Sequence, residues 1–291
     1  VFPAEEHRRR VAALQRRMAA EGIDALLLTT PPDVFYVTGF LTRFWESPAR
    51  PWFVVVPAAG DPVAVIPAIG EVLMRRGWVR DVRTWDAPDP RDDGVSLLAA
   101  ALREALPPRG GRLGAPIGLE THLRMPLADY ARLTGAIAPA VVVDATAVVQ
   151  RVREIKSEAE VAKISAACAA ADAAFARAPE FVGEGRGLDA VFRAFQIALL
   201  EAGADWVAYV AGGAGPDGYG DVISPAEARQ LERGDVLMLD AGAVRAGHFC
   251  DFDRNFAIGR AGDAARRAHA ALFAATEAAL ATLRPGLRAC N

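Results

Sequence analysis

The stretch 236–256, VLMLDAGAVRAGHFCDFDRNF, constrains the fold more than any other part of this 291-residue chain. It contains two runs of strand-like alternation, separated by the turn-forming segment 245–247. Glycine accepts the positive φ angle that a short hairpin turn requires, so the stretch predicts a two-stranded antiparallel hairpin. The turn centres on either 245–246 or 246–247, and the sequence leaves both registers open.

Both registers place the carboxylates of Asp240, Asp251 and Asp253 on one face of the hairpin, together with Gly242. Residues two apart on a strand share a face, and directly opposed residues of an antiparallel pair do so as well. In the first register Asp240 lies opposite Asp251, and in the second it lies opposite Asp253. The other face is apolar enough to pack on a core; its residues are Leu237, Leu239, Ala241, Cys250, Phe252 and Phe256.

Three crowded carboxylates repel one another unless their charge is compensated. Their pKa values can rise, arginine can pair with them, or divalent metal ions can bridge them. Arg254 is predicted on the opposite face of the strand. The flanking residues are Leu, Met and Phe, which indicates that the carboxylates face inward. We therefore favour a metal site, with a solvated acidic face as the alternative.

The residues Asp240-Ala-Gly, Gly247, Asp251, Arg254 and Gly259 fall in the frame DAG(x)4G(x)3D(x)2R(x)4G. This pattern resembles the hairpin of the creatinase/prolidase/aminopeptidase P family of pita-bread metalloenzymes. The resemblance implies that Asp240 is a ligand of one metal ion and that Asp251 bridges two. It also implies that the full-length protein binds two divalent ions, of manganese, cobalt, zinc or iron.

Several positions depart from the family pattern. Ile223 stands where the family's peptidases carry a histidine, and Asp253 is an additional carboxylate, expected either as a third ligand or as an outer hydrogen-bond acceptor. The family's remaining ligands, a histidine and two glutamates, are expected beyond Asn291 with the catalytic residues, so we expect a truncated catalytic domain. His269 and Glu277 are expected on the solvated face of a helix.

Alternating strand and helix candidates predict an α/β domain over roughly residues 1–150. The predicted strands are 24–29, 52–56, 63–67, 82–85, 113–119 and 141–144. The predicted helices are 4–21, 69–76, 95–106 and 126–133. The phrase Phe35-Tyr36-Val37-Thr38-Gly39 resembles a landmark of the family's N-terminal domain, so we expect a creatinase-type domain over 1–153.

The remainder, 154–291, is expected to be the N-terminal part of an α+β pita-bread catalytic domain, incomplete at its C-terminus. The predicted helices are 157–177, 188–202 and 263–283, and a strand is predicted over 206–211. The glycine-rich segment 212–220 lacks the lysine and the Ser/Thr of a phosphate-binding P-loop. We expect a loop there, which either forms a wall of a substrate pocket or has no binding role.

The segment Phe40–Pro51 sets aromatic side chains among charged ones. Phe44, Trp45 and Arg50 are candidate substrate contacts, because exposed aromatics mixed with arginine suit a substrate lid or a dimer contact. The alternative is that both aromatic side chains are buried. The resemblance implies that this domain can lean toward a partner subunit, so we expect a homodimer.

Composition narrows the class further. Hydrophobic residues make up 52% of the chain and charged residues 24%, as in soluble globular proteins. A net charge of −3 offers no polyanion-binding surface, so we expect no nucleic-acid partner. No apolar run is long enough to span a bilayer, so we expect no membrane partner. Three widely spaced cysteines form neither a disulfide framework nor a zinc signature, which favours the cytoplasm.

The resemblance implies metal-assisted hydrolysis of a C–N bond by a water that two metal ions activate. We expect an Xaa-Pro peptidase, either a dipeptidase or an aminopeptidase, with a dipeptide or another small molecule as substrate. The second hypothesis is a family member with non-peptide chemistry, an amidine or ectoine-type hydrolase or a dimethylsulfoniopropionate lyase. The third is a non-catalytic binding protein on the same fold, against which the paired aspartates argue.

Overall fold

The computed structural model describes residues 2–47, 51–119, 121–216 and 218–288. The chain divides into two compact units, Val1–Ser157 and Glu158–Asn291. Within the described ranges, every helix is too short or too polar to cross a bilayer.

The first unit contains a mixed six-stranded sheet. Its strands are β1 (Ala25–Leu28), β2 (Phe53–Pro57), β3 (Val63–Pro67), β4 (Asp81–Trp85), β5 (Arg112–Ala115) and β6 (Val141–Asp144). Their order across the sheet is β4-β3-β2-β1-β5-β6. The β1–β2 and β2–β3 pairs are antiparallel, and the other neighbouring pairs are parallel.

Helices cover both faces of this sheet. They are α1 (Ala4–Glu21), α2 (Pro31–Thr38), α3 (Glu71–Arg75), α4 (Val95–Ala105), α5 (Leu127–Ile137) and α6 (Thr146–Arg153). Alternate residues of β1 enter two cores: Leu26 and Leu28 pack with side chains of α1, whereas Ala25 and Leu27 pack with those of α4 and α5. All of β1 is therefore buried, as a leucine-rich strand covered on both faces must be. The predicted α/β class of this unit is confirmed.

Two helices of the first unit, α2 and α6, were not predicted from the sequence. Helix α2 is buried continuously from Asp33 to Thr38. It therefore lacks the polar face that gives a surface helix its 3.6-residue hydrophobic period. The family-like phrase 35–39 forms the end of this helix, where Gly39 has a φ angle of 74°. A side chain at that position would be strained, which explains the glycine.

The aromatic residues of the segment Phe40–Pro51 have different environments. Trp45 is only 6% exposed and packs edge-on against Phe40 and Trp52, with ring centroids 5.5 and 5.7 Å apart. Trp45 is therefore a core residue, as the burial alternative holds, and not an accessible substrate contact. Phe44 is 50% exposed. Arg50 lies outside the described residues.

The second unit packs helices against one face of an antiparallel sheet. Its strands are β7 (Trp206–Pro216), β8 (Asp235–Arg245), β9 (His248–Phe249) and β10 (Phe252–Ala257). Its helices are α7 (Glu158–Ala176), α8 (Leu188–Glu201) and α9 (Asp263–Thr282). Strand β8 lies between β7 and β10 and also pairs with β9. Leu237, Leu239 and Ala241 of β8 pack with side chains of α7 and α8.

The glycine-rich segment of the second unit is a strand in its first half, so the predicted loop over 212–220 is wrong there. Strand β7 continues to Pro216. A Cβ on Gly212 would lie 2.1 Å from the carbonyl oxygen of Met238, and one on Gly213 would lie 2.4 Å from that of Asp221. The glycines are needed because neighbouring backbone approaches closely, not because the chain turns.

Helix α9 carries the histidine and the glutamate that were expected on a solvated face. No residue of the helix is buried. The exposed positions of His269 and Glu277 are therefore confirmed.

Candidate active site

The hairpin adopts the second of the two predicted registers. Ala246 and Gly247 form the turn with φ angles of 50° and 77°. These two positive angles are those of a tight two-residue hairpin loop. Arg245 pairs with His248 at the turn. Asp240 lies directly opposite Asp253 further along the ladder.

The carboxylates of the two candidate metal ligands meet at one hydroxyl group. The phenolic oxygen of Tyr209, on β7, lies 3.1 Å from Oδ1 of Asp240 and 2.5 Å from Oδ1 of Asp251. A phenol carries a single hydrogen, so the two carboxylates share one donor. The opposite face of the hairpin is closed, since Cys250 is 4% exposed and packs in the core.

The pKa shifts at this face follow from burial and from like charges. Burial raises the pKa of the half-buried Asp240, and the negative charges of Asp251 and Asp253 raise it further, against the hydrogen bond from Tyr209. Burial also raises the pKa of Tyr209, and the hydrogen bond to Asp251 adds to the rise. The phenol therefore keeps its hydrogen at neutral pH and acts as a donor.

The charge of the aspartates is not balanced by arginine. Arg254 lies on the other side of the strand. Its guanidinium group lies over the ring of Phe175, and one guanidinium nitrogen is 3.8 Å from a carboxylate oxygen of Asp172 on α7. Among the described residues, no lysine or arginine forms an ion pair with Asp240 or Asp251. Of the three ways to compensate crowded carboxylates, arginine pairing is thus excluded within this part of the chain.

The donor chemistry of this face fits a divalent cation. Hard and borderline divalent ions accept carboxylate oxygens as ligands. The carboxylates of Asp240 and Asp251 converge on one hydroxyl here, and no arginine in the described ranges compensates their negative charge. The described residues contain no group of three or more His, Cys, Asp and Glu side chains that could hold a metal ion. Asp253 therefore does not complete such a cluster, and this part of the chain provides the pair Asp240 and Asp251.

Tyr209 is the site residue that sequence reasoning missed. It pairs with Gly242 of β8, so its ring crosses that strand to reach the aspartates. A Cβ on Gly242 would lie 2.6 Å from Cε1 of Tyr209 and 2.6 Å from the ring of Phe249. The glycine of the Asp-Ala-Gly motif thus makes room for the aromatic ring. The alternation of β7 carries no sign of this role, because the cross-strand register decides it.

A second tyrosine contacts the same face farther from the turn. The hydroxyl of Tyr219 donates to Oδ1 of Asn255 at 2.8 Å. Asn255 lies two residues beyond Asp253 on β10 and shares its face. Ile223 is 89% exposed, and its aliphatic side chain provides neither a ligand nor a proton donor.

In sequence order, an α/β unit thus precedes a unit whose sheet presents paired carboxylates. Residues 10–155 match the Creatinase/Prolidase N-terminal domain, and residues 162–291 match metallopeptidase family M24. The chain belongs to this creatinase/prolidase family of metallopeptidases, as the resemblance of the hairpin implies. Members of the family use divalent metal ions.

Similar proteins agree with this assignment. The chain is 30% identical over 291 residues to the probable dipeptidase PepE of Mycobacterium tuberculosis, covering 99% of this chain and 73% of that protein. The crystal structure of the dipeptidase PepE from Mycobacterium ulcerans matches 98% of this chain and 74% of its own, with 28% identity and a TM-score of 0.80. A prolidase from Thermococcus sibiricus shares the fold, at 21% identity and a TM-score of 0.82 over 97% of this chain and 73% of its own.

Proposed function

We propose that the protein is a metal-dependent dipeptidase that cleaves the peptide bond before proline, with two divalent ions at the open face of the second unit. One observation carries the proposal: the carboxylates of Asp240 and Asp251 converge on the hydroxyl of Tyr209, and no arginine among the described residues compensates their negative charge. The names of the similar proteins, dipeptidase and prolidase, support the substrate class.

In this proposal, Asp240 and Asp251 would hold the ions. When bound, the ions provide an activated water and stabilise the negative charge that develops on the scissile carbonyl oxygen. Tyr209 holds the two carboxylates in a fixed orientation through its hydroxyl, as hydrogen-bonding groups behind metal ligands do. Asp253 adds negative charge beside Asp240 and thereby favours a cation at the site.

A second candidate function is hydrolysis of a C–N bond in a small non-peptide molecule. Ile223 favours this candidate, because the family's proline-specific peptidases carry a histidine there. An exposed aliphatic side chain cannot donate a proton near the scissile bond. The two functions share the metal site and differ only in substrate.

Metal analysis tests the site. The protein, expressed from its complete reading frame, is stripped with a chelator and titrated separately with Mn2+, Co2+, Zn2+ and Fe2+. We expect two ions per chain for at least one metal, and loss of both in Asp251→Asn. Asp172→Asn is the matched control, since this exposed carboxylate lies on the helix side of the sheet. Unchanged metal content in Asp251→Asn would refute the assignment.

Substrate assays test the reaction. The metal-loaded protein is incubated with Ala-Pro, with the matched dipeptide Ala-Ala and with small amidines. We expect cleavage of Ala-Pro in preference to Ala-Ala. Cleavage of an amidine with no activity on any proline dipeptide would replace the first function by the second.

The proposal also includes a homodimer, which the family resemblance implies, and a cytoplasmic location, which the cysteine pattern favours. Light scattering of the purified protein measures its oligomeric state. We expect twice the mass of one chain, and a monomer at working concentration would contradict it.

A further inference from the structure

The first unit contains a cavity of about 380 Å³. It is bordered by the start of α1, the end of α2 and the end of α3. Its volume is within the range of small-molecule sites. Much of its wall is apolar, formed by Phe2, Phe40, Met74 and Trp78.

His7 contributes its ring to the wall of this cavity. The residue is 1% exposed, and its Nδ1 lies 3.0 Å from the carbonyl oxygen of Tyr36. A carbonyl only accepts, so Nδ1 carries the hydrogen and Nε2 presents a lone pair. Burial lowers the pKa of His7, which keeps the ring neutral. Nε2 has no hydrogen-bond partner among the described residues.

Nε2 itself is fully buried, and Gly39 packs against it. Gly39 also lines the cavity, and a Cβ at residue 39 would lie 2.7 Å from Nε2 of His7. The ring of His7 is therefore part of the cavity wall, and its nitrogen is not open to a ligand.

The rim of the cavity is cationic. Arg76 and Arg80 both line it and are exposed. Among the described residues, neither forms an ion pair or a hydrogen bond, whereas the neighbouring Arg75 pairs with Glu71 at 2.8 Å. None of the lining residues is acidic. Two unpaired guanidinium groups at the edge of an apolar cavity are suited to a carboxylate or phosphate group.

We propose that this cavity binds a small organic anion with a flat aromatic body. The anionic group pairs with Arg76 and Arg80, and the aromatic body lies against the wall that Trp78 and the ring of His7 form. Binding of this anion does not depend on the proposed peptidase chemistry.

Titration with defined small molecules tests the site. The probes are 4-hydroxybenzoate and phenyl phosphate, with 4-hydroxybenzamide as the matched uncharged compound. The readout is the imidazole C–H signals of His7 in NMR spectra, assigned with the variant His7→Gln. We expect saturable shifts of the His7 signals with at least one anion, and weaker binding of the amide. The anion that binds more tightly identifies the group that the arginines recognise.

Arginine variants test the cationic rim. We expect Arg76→Ala/Arg80→Ala to weaken anion binding by about tenfold or more, since charge-assisted hydrogen bonds are lost. Arg17→Ala/Arg109→Ala removes the same charge from exposed positions of the same unit and leaves affinity unchanged. Equal affinity in both double variants, or no His7 shift with either anion, would overturn the proposal. If the rim variant fails to fold in a melting experiment, equal binding of the amide and the benzoate by the unmodified protein overturns it.

Discussion

The phenolic oxygen of Tyr209 lies 2.5 Å from Oδ1 of Asp251, although Tyr209 is on β7 and Asp251 lies between β9 and β10, neither of which pairs with β7. The ring spans β8 at Gly242, the residue with which Tyr209 pairs. A hydrogen bond across the width of one strand fixes Asp251 relative to Asp240. The orientation of the candidate ligands thus depends on a residue outside the hairpin.

Tyr209→Phe removes that hydroxyl and keeps the ring. We expect metal affinity and kcat/KM each to fall by about 10- to 100-fold, the usual cost of losing a hydrogen bond to a metal ligand. Melting temperature is expected to change little, because the ring still covers Gly242. Metal titration and dipeptide assays measure the two effects.

Tyr219→Phe is the matched control for that variant. It also removes one phenolic hydroxyl from the same sheet face, in this case the donor to Asn255. We expect wild-type metal affinity. A comparable loss of affinity in both variants would mean that Tyr209 has no specific positioning role.

Gly242→Ala tests why the motif contains glycine. A Cβ would lie 2.6 Å from the rings of both Tyr209 and Phe249, so at least one ring must move. We expect a loss of about 1–3 kcal/mol in the free energy of unfolding, as for other overpacked sites. Metal affinity is expected to fall as well, because the hydroxyl of Tyr209 moves with its ring. Urea denaturation and metal titration measure both quantities.

Gly135→Ala shows whether an added methyl group is itself harmful. Gly135 lies in helix α5 with no atom within 4 Å of its prospective Cβ. We expect this variant to be more stable by up to about 1 kcal/mol, the helix preference of alanine over glycine. Destabilisation of both variants by equal amounts would remove the steric explanation at Gly242.

The sequence predicted the hairpin because its signal is local. Alternation and one glycine define the two strands, and the same periodicity places Asp240 and Asp251 on one face. The choice of register depended on whether Ala246 could adopt a positive φ angle, which alanine rarely does. The pairing of β7 on the far side of β8 is non-local, so the contact of Tyr209 with these aspartates could not be read from the chain.

The sequence failed to predict helix α2 and predicted a loop where β7 continues, and both errors have the same origin. Helix α2 is buried around its whole circumference, so tertiary packing removed the periodicity that predicts helices. In β7, glycines that usually indicate a loop permit close backbone contacts within a sheet. Trp45 shows the opposite error. Its charged neighbours in the sequence suggested an exposed aromatic side chain, but Trp52, which lies beyond the loop, packs against it and buries it.

Asp253→Asn separates an outer charge from a metal ligand. Asp253 lies opposite Asp240, and its negative charge contributes to the raised pKa of the Asp240 carboxyl group. If Asp253 acts only through its charge, its neutralisation weakens metal binding severalfold and leaves the number of bound ions unchanged. Metal titration of this variant beside Asp251→Asn measures both values. Loss of one whole ion in Asp253→Asn would identify it as a ligand.

Asp235 anchors the start of β8 and makes the stability of the second unit depend on pH. Its carboxylate is 1% exposed and accepts two hydrogen bonds from Arg229, at 2.7 and 2.9 Å, and one from the backbone N–H of Glu232 at 2.8 Å. The hydrogen bonds from Arg229 hold the pKa of Asp235 below its usual value, against the effect of burial. Because the folded-state pKa is the lower one, the stabilisation is fully present above the unfolded-state pKa of about 4 and is lost as the pH falls through the folded-state value.

Asp235→Asn removes this contribution. At pH 7 we expect a loss of about 2–4 kcal/mol in the free energy of unfolding, because a buried charge-assisted pair loses one partner. The difference from the wild-type protein is expected to shrink as the pH falls below 4, where the wild-type carboxylate also takes up a proton. Urea denaturation from pH 7 to pH 3 measures it, with Asp172→Asn as the exposed control. A difference that stays constant over this range would show that the charge of Asp235 is not what holds the strand.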